Sequence, residues 1–372
     1  MKIEIEQREL KNALGVLGRV MPTKNTMPIL ECVHFDVRNS AVLLTACDSD
    51  ICRLEIECSA TADEEGCFCV RADVLARALA QISDQMLTLE IVRQGDAGPE
   101  VLHVEHKDGG FSMPTEDASA YPELKDDTYE GKMILPKGEV LSRTMWAASG
   151  EELRLQMTAV CITPCGENTD IVASDGHVLV RNRLLGETVS HTILIPRKTA
   201  GLIAALATEG ATMEWNNTRV FARLGRAKLW AQVIEGAYPQ YNKVIPTEHK
   251  MKVIVPRAAM VAAIKQVLPF GSEQSRASTL IEMTFRPGEL VITAEDSAFQ
   301  RKASSRVAID YDGEEFCIGA NGQRTVEVLN NMPGERVVIL LINESRPMIF
   351  TPEQQTEDAE VLMLQMPMLL NN

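Results

Sequence analysis

An internal repeat is the feature of this sequence that most constrains its fold. Three segments, 42–49, 170–176 and 290–297, each contain a short apolar strand that ends in a small residue, a variable residue and an aspartate. The aspartates, Asp48, Asp175 and Asp296, lie 127 and 121 positions apart. Self-similarity at a fixed period indicates repeated structural units. The chain of 372 residues therefore divides into three similar domains, which we place at 1–127, 128–248 and 249–372.

Each of these units divides again. Leu-Pro-Lys at 135–137, Ile-Pro-Arg at 195–197 and Val-Pro-Arg at 255–257 recur at intervals of 60 and join an apolar strand to a helical pattern. Proline suits the first helical turn, where its missing N–H has no partner to lose. Further helices are predicted at 9–21, 72–82 and 323–331 from apolar residues at helical spacing. The residues expected to face the core of the first two are Leu10, Leu14, Leu17, Val74, Leu75, Leu79 and Ile82.

Six helix-plus-strands units, paired into three domains, predict an α+β fold with helices on one face of antiparallel sheets. Exposed sheet edges can pair with a second copy, and such pairing closes a ring if the geometry allows.

Composition limits the location and the surface. The first residues do not resemble a signal peptide, and no apolar run is long enough to span a bilayer. Nine cysteines are scattered, and singles such as Cys32, Cys47 and Cys317 are expected to be buried, as reduced thiols of a cytoplasmic protein. The net charge of −15 argues against a surface that binds nucleic acid over its whole extent, because an even acidic surface repels phosphates. A ring that is acidic outside and basic in its hole remains compatible with it.

Signals of catalysis are few. Asp175-Gly176-His177 can be read as part of an acid–base site or as a turn, since Asp and Gly favour turns. His103 and His106 can be read as metal ligands, but their spacing fits neither a strand face nor a helical i,i+4 pair. There is no nucleophile elbow and no phosphate-binding loop. The sequence predicts no enzyme activity, no cofactor and no metal site.

Cations at the predicted helix starts are more informative. Lys137, Arg197, Lys198 and Arg257 lie where the helix dipole disfavours positive charge by roughly 0.3–1 kcal/mol. The repetition points to an external anion such as duplex phosphate, and the alternative is a set of solvated helix ends with screened charges. Cations that would extend the same face are Arg71, Arg77, Arg143 and Lys265. Aromatic residues make up only 5% of the chain, so contacts to the phosphate backbone are expected rather than base stacking.

Four motifs in order resemble one family: Thr-Met-Pro-Ile-Leu at 26–30, Ala-Ser-Asp-Gly-His at 173–177, Tyr-Pro-Gln-Tyr-Asn-Lys-Val-Ile-Pro at 238–246 and Gln-Met-Pro-Met at 365–368. Together with the threefold repeat they resemble, over the full length, the beta subunit of bacterial DNA polymerase III, the DNA sliding clamp. The resemblance implies a non-catalytic processivity factor for DNA replication, a head-to-tail homodimer that forms a six-domain ring around duplex DNA. It also implies a clamp loader that opens the ring, and polymerase and repair proteins that insert short apolar peptides.

The resemblance also implies a peptide-binding pocket. Its residues here would be Met157, Ser174, Gly176, His177, Leu179, Pro239, Lys243, Val244, Leu364, Met366, Pro367 and Met368. Methionine and leucine adapt to varied apolar ligands, and a few buried side chains can anchor a peptide. The alternative is that these methionines are ordinary core residues.

Several positions depart from the family pattern. Val178 and Leu369 stand where the family commonly has arginines, Arg324 stands where a pocket tyrosine is often found, and Asn371 and Asn372 extend the end. The resemblance carries DNA contact to Lys24, to Gln156 and to the Arg197–Lys198 pair. Two other classes remain open at this point: an enzyme that uses Asp175 and His177, and a purely structural ring without cations that face its hole.

Overall fold

The computed structural model describes residues 1–21, 27–49, 51–93, 100–124, 127–135, 138–271, 273–275 and 278–370. The chain folds into two compact units. Unit 1 comprises Met1–Gly138 and Gly201–Val233, and unit 2 comprises Glu139–Ala200 and Ile234–Asn372. The division into three domains at 127/128 and 248/249 stays a prediction. No helix among the described residues is long and apolar enough to span a membrane.

Six α-helices are present in the described part of the chain: α1 Gln7–Leu17, α2 Ala72–Leu79, α3 Glu139–Met145, α4 Arg197–Leu206, α5 Arg257–Val267 and α6 Gly322–Asn331. The first twelve strands are β1 Lys2–Glu6, β2 Cys32–Arg38, β3 Ala41–Asp48, β4 Cys52–Ala62, β5 Gly66–Arg71, β6 Met86–Arg93, β7 Glu100–His106, β8 Gly109–Pro114, β9 Gly131–Ile134, β10 Ala159–Cys165, β11 Asn168–Ser174 and β12 Val178–Leu184. The later strands are β13 Ile193–Pro196, β14 Thr212–Trp215, β15 Arg219–Leu224, β16 Ala227–Gln232, β17 Met251–Pro256, β18 Glu273–Ser275, β19 Ser278–Arg286, β20 Glu289–Asp296, β21 Arg301–Ala308, β22 Phe316–Asn321, β23 Arg336–Leu341, β24 Met348–Pro352 and β25 Ala359–Gln365.

Unit 1 contains a twelve-stranded sheet whose described pairs are antiparallel. Its main order is β8-β7-β6-β1-β4-β16-β15-β14-β9, with β3 between β2 and β4 and with β5 beside β2. Strand β4 pairs with β1, β3 and β16, so it joins residues of the first 62 positions to those of 227–231. Helix α1 packs on β4 and beside α2.

Unit 2 contains two antiparallel sheets. One has the order β13-β10-β11-β12-β25-β24-β23-β17, and the other has the order β18-β19-β20-β21 with β22 beside β19. Helix α3 packs on β10–β12, and α5 packs on β20, β21 and α6. Antiparallel sheets with helices on them confirm the predicted α+β class.

The helical cores agree with the sequence pattern except at Val74 and Ile82. Ile82 lies beyond the end of α2 at Leu79 and is half-buried. Leu10, Leu14 and Leu17 of α1 are buried, as are Leu75 and Leu79 of α2. Their i, i+4, i+7 spacing lies on one helical face, which explains the match. Val74, predicted to face the core, is exposed, because it lies about 100° around the helix from Leu75.

Two other predictions are corrected by the structure. Pro196 and Pro256 are the last residues of β13 and β17 rather than first-turn residues, and Pro256 precedes α5 with φ −69° and ψ 114°. Proline's fixed φ is compatible with this extended position, and the helix begins one residue later. Cys317, expected to be buried, is half-buried, whereas Cys32 and Cys47 are buried.

Candidate functional site

An apolar cluster in unit 2 lies at the centre of the predicted pocket. Leu179 of β12 and Leu364 of β25 are register partners, and both are buried with Cys161 and Val172. The segment 234–245 packs against this cluster through partly buried residues, namely Ile234, Tyr238, Tyr241 and Ile245. Leu179 and Leu364 are therefore a floor beneath the site.

A tight turn between β11 and β12 forms one wall. Asp175 Oδ1 accepts the backbone N–H groups of His177 and Val178, each at 2.8 Å. Ser174 Oγ donates to Val178 O at 2.7 Å and accepts the Gly176 N–H at 3.1 Å. Gly176 has φ +88°, which glycine adopts without the penalty that a Cβ would bring. A Cβ at Gly176 would lie 3.9 Å from Met157 Cε, so Met157 packs beneath the turn.

The residues that follow β25 lie beside this turn. Met366 N–H donates to His177 O at 2.8 Å, and Met368 N–H donates to Gly319 O at 2.8 Å. A Cβ at Gly319 would collide with Met368 O, so only glycine permits this approach. Met366 is exposed, whereas Pro367 and Met368 are half-buried. Main-chain contacts thus fix 366–368 beside the turn at 174–177.

A buried hydrogen-bond network fixes this strand to α6. Gln365 Nε2 donates to Asn321 O at 3.0 Å, and Thr325 Oγ1 lies 3.1 Å from Gln365 Oε1 and 2.8 Å from Asn321 O. Gln365 and Thr325 are almost inaccessible to solvent. Buried polar groups that are satisfied in this way hold one arrangement.

The segment 238–244 is tied to the sheet by a buried carboxylate. Tyr241 Oη donates to Asp170 Oδ2 at 2.8 Å, and Arg183 binds the same carboxylate through Nε at 2.7 Å and Nη2 at 2.9 Å. Burial raises the pKa of Asp170, but the hydrogen bonds from Arg183 and Tyr241 outweigh burial and hold the pKa below its ordinary value. Burial, together with the bond to Asp170, raises the pKa of Tyr241.

Pro239 and Lys243 line a cleft of about 560 Å³ between this segment and β10. The cleft also includes Cys161, whose thiol has a pKa raised by burial to about 12 and therefore stays protonated at neutral pH. Val244 is exposed at the end of the short helical turn Tyr241–Lys243. All twelve pocket positions implied by the resemblance lie in unit 2. The structure joins Gly176 to Met157, His177 to Met366 and Leu179 to Leu364, and it places Pro239 and Lys243 in one cleft.

The positions that depart from the family pattern change the side chains around the predicted pocket. Arg324 Nη2 lies 2.9 Å from Asp175 Oδ2. Val178 is buried, and Leu369 is largely exposed. The Arg324–Asp175 pair and the Asp170–Arg183–Tyr241 network were not predicted from the sequence. Asp170 lies inside one of the repeat segments, but no sequence pattern identified Arg183 and Tyr241 as its partners.

The predicted DNA-facing cations differ in their surroundings. Lys24 and Lys137 lie outside the described residues. Arg71 is paired with Glu31 at 2.8 Å and with Asp73 at 3.3 Å, and Arg77 is paired with Asp73 at 3.0 Å. These carboxylates offset much of the positive charge at the start of α2.

In unit 2, several of these side chains bind nearby backbone or side-chain oxygens. Arg257 donates to Leu329 O, in the last turn of α6, at 3.4 Å and to Gly334 O, in the loop that follows, at 2.7 Å. The half-buried Arg143 reaches Asn182 Oδ1 at 3.5 Å, and burial lowers its pKa. Gln156 donates to Glu235 O at 3.2 Å. Arg197, with a contact of 3.5 Å to Ala148 O, is exposed. Lys198 and Lys265 are exposed and form no ion pair with the described residues.

The residues that suggested catalysis have other roles. Asp175 accepts backbone N–H groups and pairs with Arg324, while the exposed His177 contributes its backbone to the turn. His103 Nδ1 lies 2.6 Å from Ser112 Oγ. Across the described ranges, no three His, Cys, Asp or Glu side chains are grouped to hold a metal ion. The turn interpretation of Asp175-Gly176-His177 is confirmed.

Comparison with known proteins identifies the family. Residues 1–125 match the N-terminal domain of the DNA polymerase III beta subunit, and residues 242–368 match its C-terminal domain. The beta sliding clamp of Caulobacter vibrioides is 25% identical over 360 residues, which cover 93% of this chain and 95% of that protein. The beta sliding clamp of Synechocystis is 27% identical over 385 residues, which cover 95% and 96%.

Solved structures show the same fold. The beta clamp of Helicobacter pylori, bound to a DNA ligase peptide, superposes with a TM-score of 0.86 at 20% identity and full coverage of both chains. The clamp of Pseudomonas aeruginosa bound to griselimycin has a TM-score of 0.87 at 22% identity, again over both full chains. The matches to the family's two domains and to the curated relatives define the class: a non-catalytic subunit of the DNA replication machinery. The chain belongs to the DNA polymerase III beta subunit family, the beta sliding clamps.

Proposed function

We propose that two copies of this chain close head to tail into a ring around duplex DNA and that the ring confers processivity in the cytoplasm. The pocket at 174–177, 238–244 and 364–368 would tether polymerase subunits, the clamp loader and repair proteins through short apolar peptides. The observation that supports this proposal is that all twelve implied pocket positions lie in unit 2, where Leu179 and Leu364 belong to one buried apolar cluster. A pocket of this kind binds a peptide by a few anchors, and its rigid walls limit the entropy lost on binding.

Free sheet edges support ring closure. Strand β8 in unit 1 and β21 in unit 2 each pair with one neighbour among the described strands. Phe299, just before β21, and Phe270 are exposed aromatic residues. Unpaired strand edges beside exposed apolar side chains favour association with another chain. We infer that β21 of one protomer pairs with β8 of its partner. This pairing would occur twice in a closed ring of two copies.

Lys198 and Lys265, which are exposed and form no ion pair within the described part of the chain, support DNA contact without sequence readout, as does the exposed Arg197. Cations that touch only phosphates bind every sequence alike, and each phosphate contact contributes a slope of about 0.9 to the log–log salt dependence of affinity. Arg71, Arg77 and Arg257 are expected to contribute less, because nearby carboxylates or carbonyls already bind them.

The test is topological. The protein is assembled on nicked circular DNA with a bacterial clamp loader shown to bind it and ATP, and the circle is then cut. Retention on the circle at high salt with release after cutting is expected. Equal loss from circular and linear DNA would point instead to a scaffold that does not encircle DNA.

The double variant Arg197→Glu/Lys198→Glu tests the basic surface. We expect reduced loading and a shallower salt dependence, by roughly one unit for each phosphate that is no longer bound, with the dimer preserved. The matched control is Lys250→Glu/Lys252→Glu, which reverses two exposed lysines beside and on β17. Equal behaviour of the two double variants would remove the argument for cations at 197 and 198. If the wild-type protein turned over a substrate and His177→Ala abolished that turnover, the result would instead support the enzyme alternative.

A further inference from the structure

Arg324 occupies a fixed position at the rim of the pocket. Asn321 Oδ1 accepts the Arg324 backbone N–H at 3.1 Å and so caps the start of α6. The guanidinium pairs with Asp175, in the turn that carries Gly176 and His177. Its side chain is 28% exposed, so it is neither buried in the core nor free in solvent. The network through Thr325 and Gln365 holds the same helix end against the strand that leads into Met366.

The two partners of this ion pair differ in what they can still bind. Asp175 accepts two backbone N–H groups on Oδ1 and the guanidinium on Oδ2. Arg324 has five N–H donors in a planar fork, and the contact with Asp175 uses those on Nη2. The carboxylate is thus nearly saturated, whereas the guanidinium retains donors for a second carboxylate.

Lys243 is a second cation at the predicted pocket. Lys243, on the segment 238–244, is exposed, and His177 is exposed on the turn. Arg181 is paired with Glu360 across β12 and β25. An incoming peptide therefore meets apolar side chains beside Lys243 and Arg324, and an acidic peptide residue complements these two cations.

We propose that Arg324 makes this pocket selective for peptides that carry an aspartate or glutamate beside their apolar anchors. This inference rests on the proposed peptide-binding function. A planar guanidinium recognises a carboxylate through two parallel hydrogen bonds, which a tyrosine at this position cannot offer. The position that departs from the family pattern would therefore set the partner preference.

The experiment is a double-mutant cycle between protein and peptide. Ten-residue synthetic peptides with two leucines and a phenylalanine as anchors carry one Asp, and in a matched series one Asn, at each remaining position. Binding to the full-length protein is measured by isothermal titration calorimetry for the wild type, Arg324→Gln, Arg324→Lys and the control Arg286→Gln. Arg286 is paired with Glu315 on the other sheet of unit 2, so its variant loses a comparable ion pair away from the pocket.

We expect the wild type to bind at least one Asp peptide about three- to tenfold more tightly than its Asn partner. Arg324→Gln should remove that preference, Arg324→Lys should keep part of it, and Arg286→Gln should keep all of it. Circular dichroism checks that α6 persists, since its cap involves only the backbone of residue 324.

The outcomes separate this inference from the proposed function. Equal binding of Asp and Asn peptides by the wild type, or a preference that survives Arg324→Gln, overturns the role of Arg324 and leaves peptide binding intact. A failure of every peptide to bind, with and without Asp, counts against the proposed pocket itself and so against both.

Discussion

Removing one hydroxyl, with the change Tyr241→Phe, should loosen the segment that carries Pro239, Lys243 and Val244. The hydroxyl donates to the buried Asp170 at 2.8 Å, and a hydrogen bond to a charged group contributes about 1.5–3 kcal/mol. Asp170 keeps both hydrogen bonds from Arg183, so it is not left unpaired. The lower end of the range, about 1.5 kcal/mol, is therefore expected. This corresponds to roughly tenfold more frequent local opening.

Hydrogen exchange followed by mass spectrometry measures this opening in the peptide that covers 238–250. Amides of the turn, such as Lys243 N–H to Gln240 O and Val244 N–H to Tyr241 O, should exchange about tenfold faster in the variant. The control Tyr311→Phe removes a hydroxyl that donates to Glu314 O at 2.7 Å, and it should leave this peptide unchanged. Unchanged exchange in Tyr241→Phe would show that apolar packing alone holds the segment.

Two further predictions concern the same unit. Because the folded-state pKa of Asp170 lies below the ordinary value of 3.8, its charged form contributes stability that is present above pH 3.8 and is lost as the pH falls through the lower folded pKa. Urea unfolding of the wild type and Asp170→Asn between pH 7 and pH 3 should show a stability difference that shrinks on acidification, and a constant difference would contradict this. The change Gln365→Leu leaves Asn321 O and the Thr325 hydroxyl with fewer partners and should cost about 1–3 kcal/mol, seen by calorimetry as a lower Tm. The exposed Gln354, changed to Leu, should shift stability by only about 0.5 kcal/mol or less, and an equal effect of both variants would refute the role of the network.

The sequence predicted the features that depend on local order. The repeated strands that end in aspartate were recognisable because strand and turn chemistry recur at one period, and in the structure Asp175 and Asp296 both accept backbone N–H groups of the turns that follow. The starts of α4 and α5 were marked by Pro-Arg. The exposed Val74 shows that apolar character alone does not place a residue on the buried face of α2.

The contacts between distant residues could not be predicted in the same way. Arg324 and Asp175 are 149 positions apart, and Tyr241 and Asp170 are 71 apart. Their pairing depends on strand register and on the approach of α6 to β25, and neither is encoded in a local pattern. The resemblance predicted a pocket, but it identified Arg324 only as a departure. Its ion pair with Asp175 became visible only in the structure.

The pairing of β4 with β16 has a consequence for dividing the chain into pieces. A fragment that ends at the predicted boundary of residue 127 would lack β16 and leave an edge of β4 unpaired, with Leu54 and Ile56 beside it. Bare edges of this kind lead to aggregation, so such a fragment is expected to precipitate or to form non-native oligomers. Three similar repeats therefore do not make three separable parts. Residues 201–233 complete a sheet that begins at the amino terminus, and any functional dissection of this chain by truncation has to keep them together.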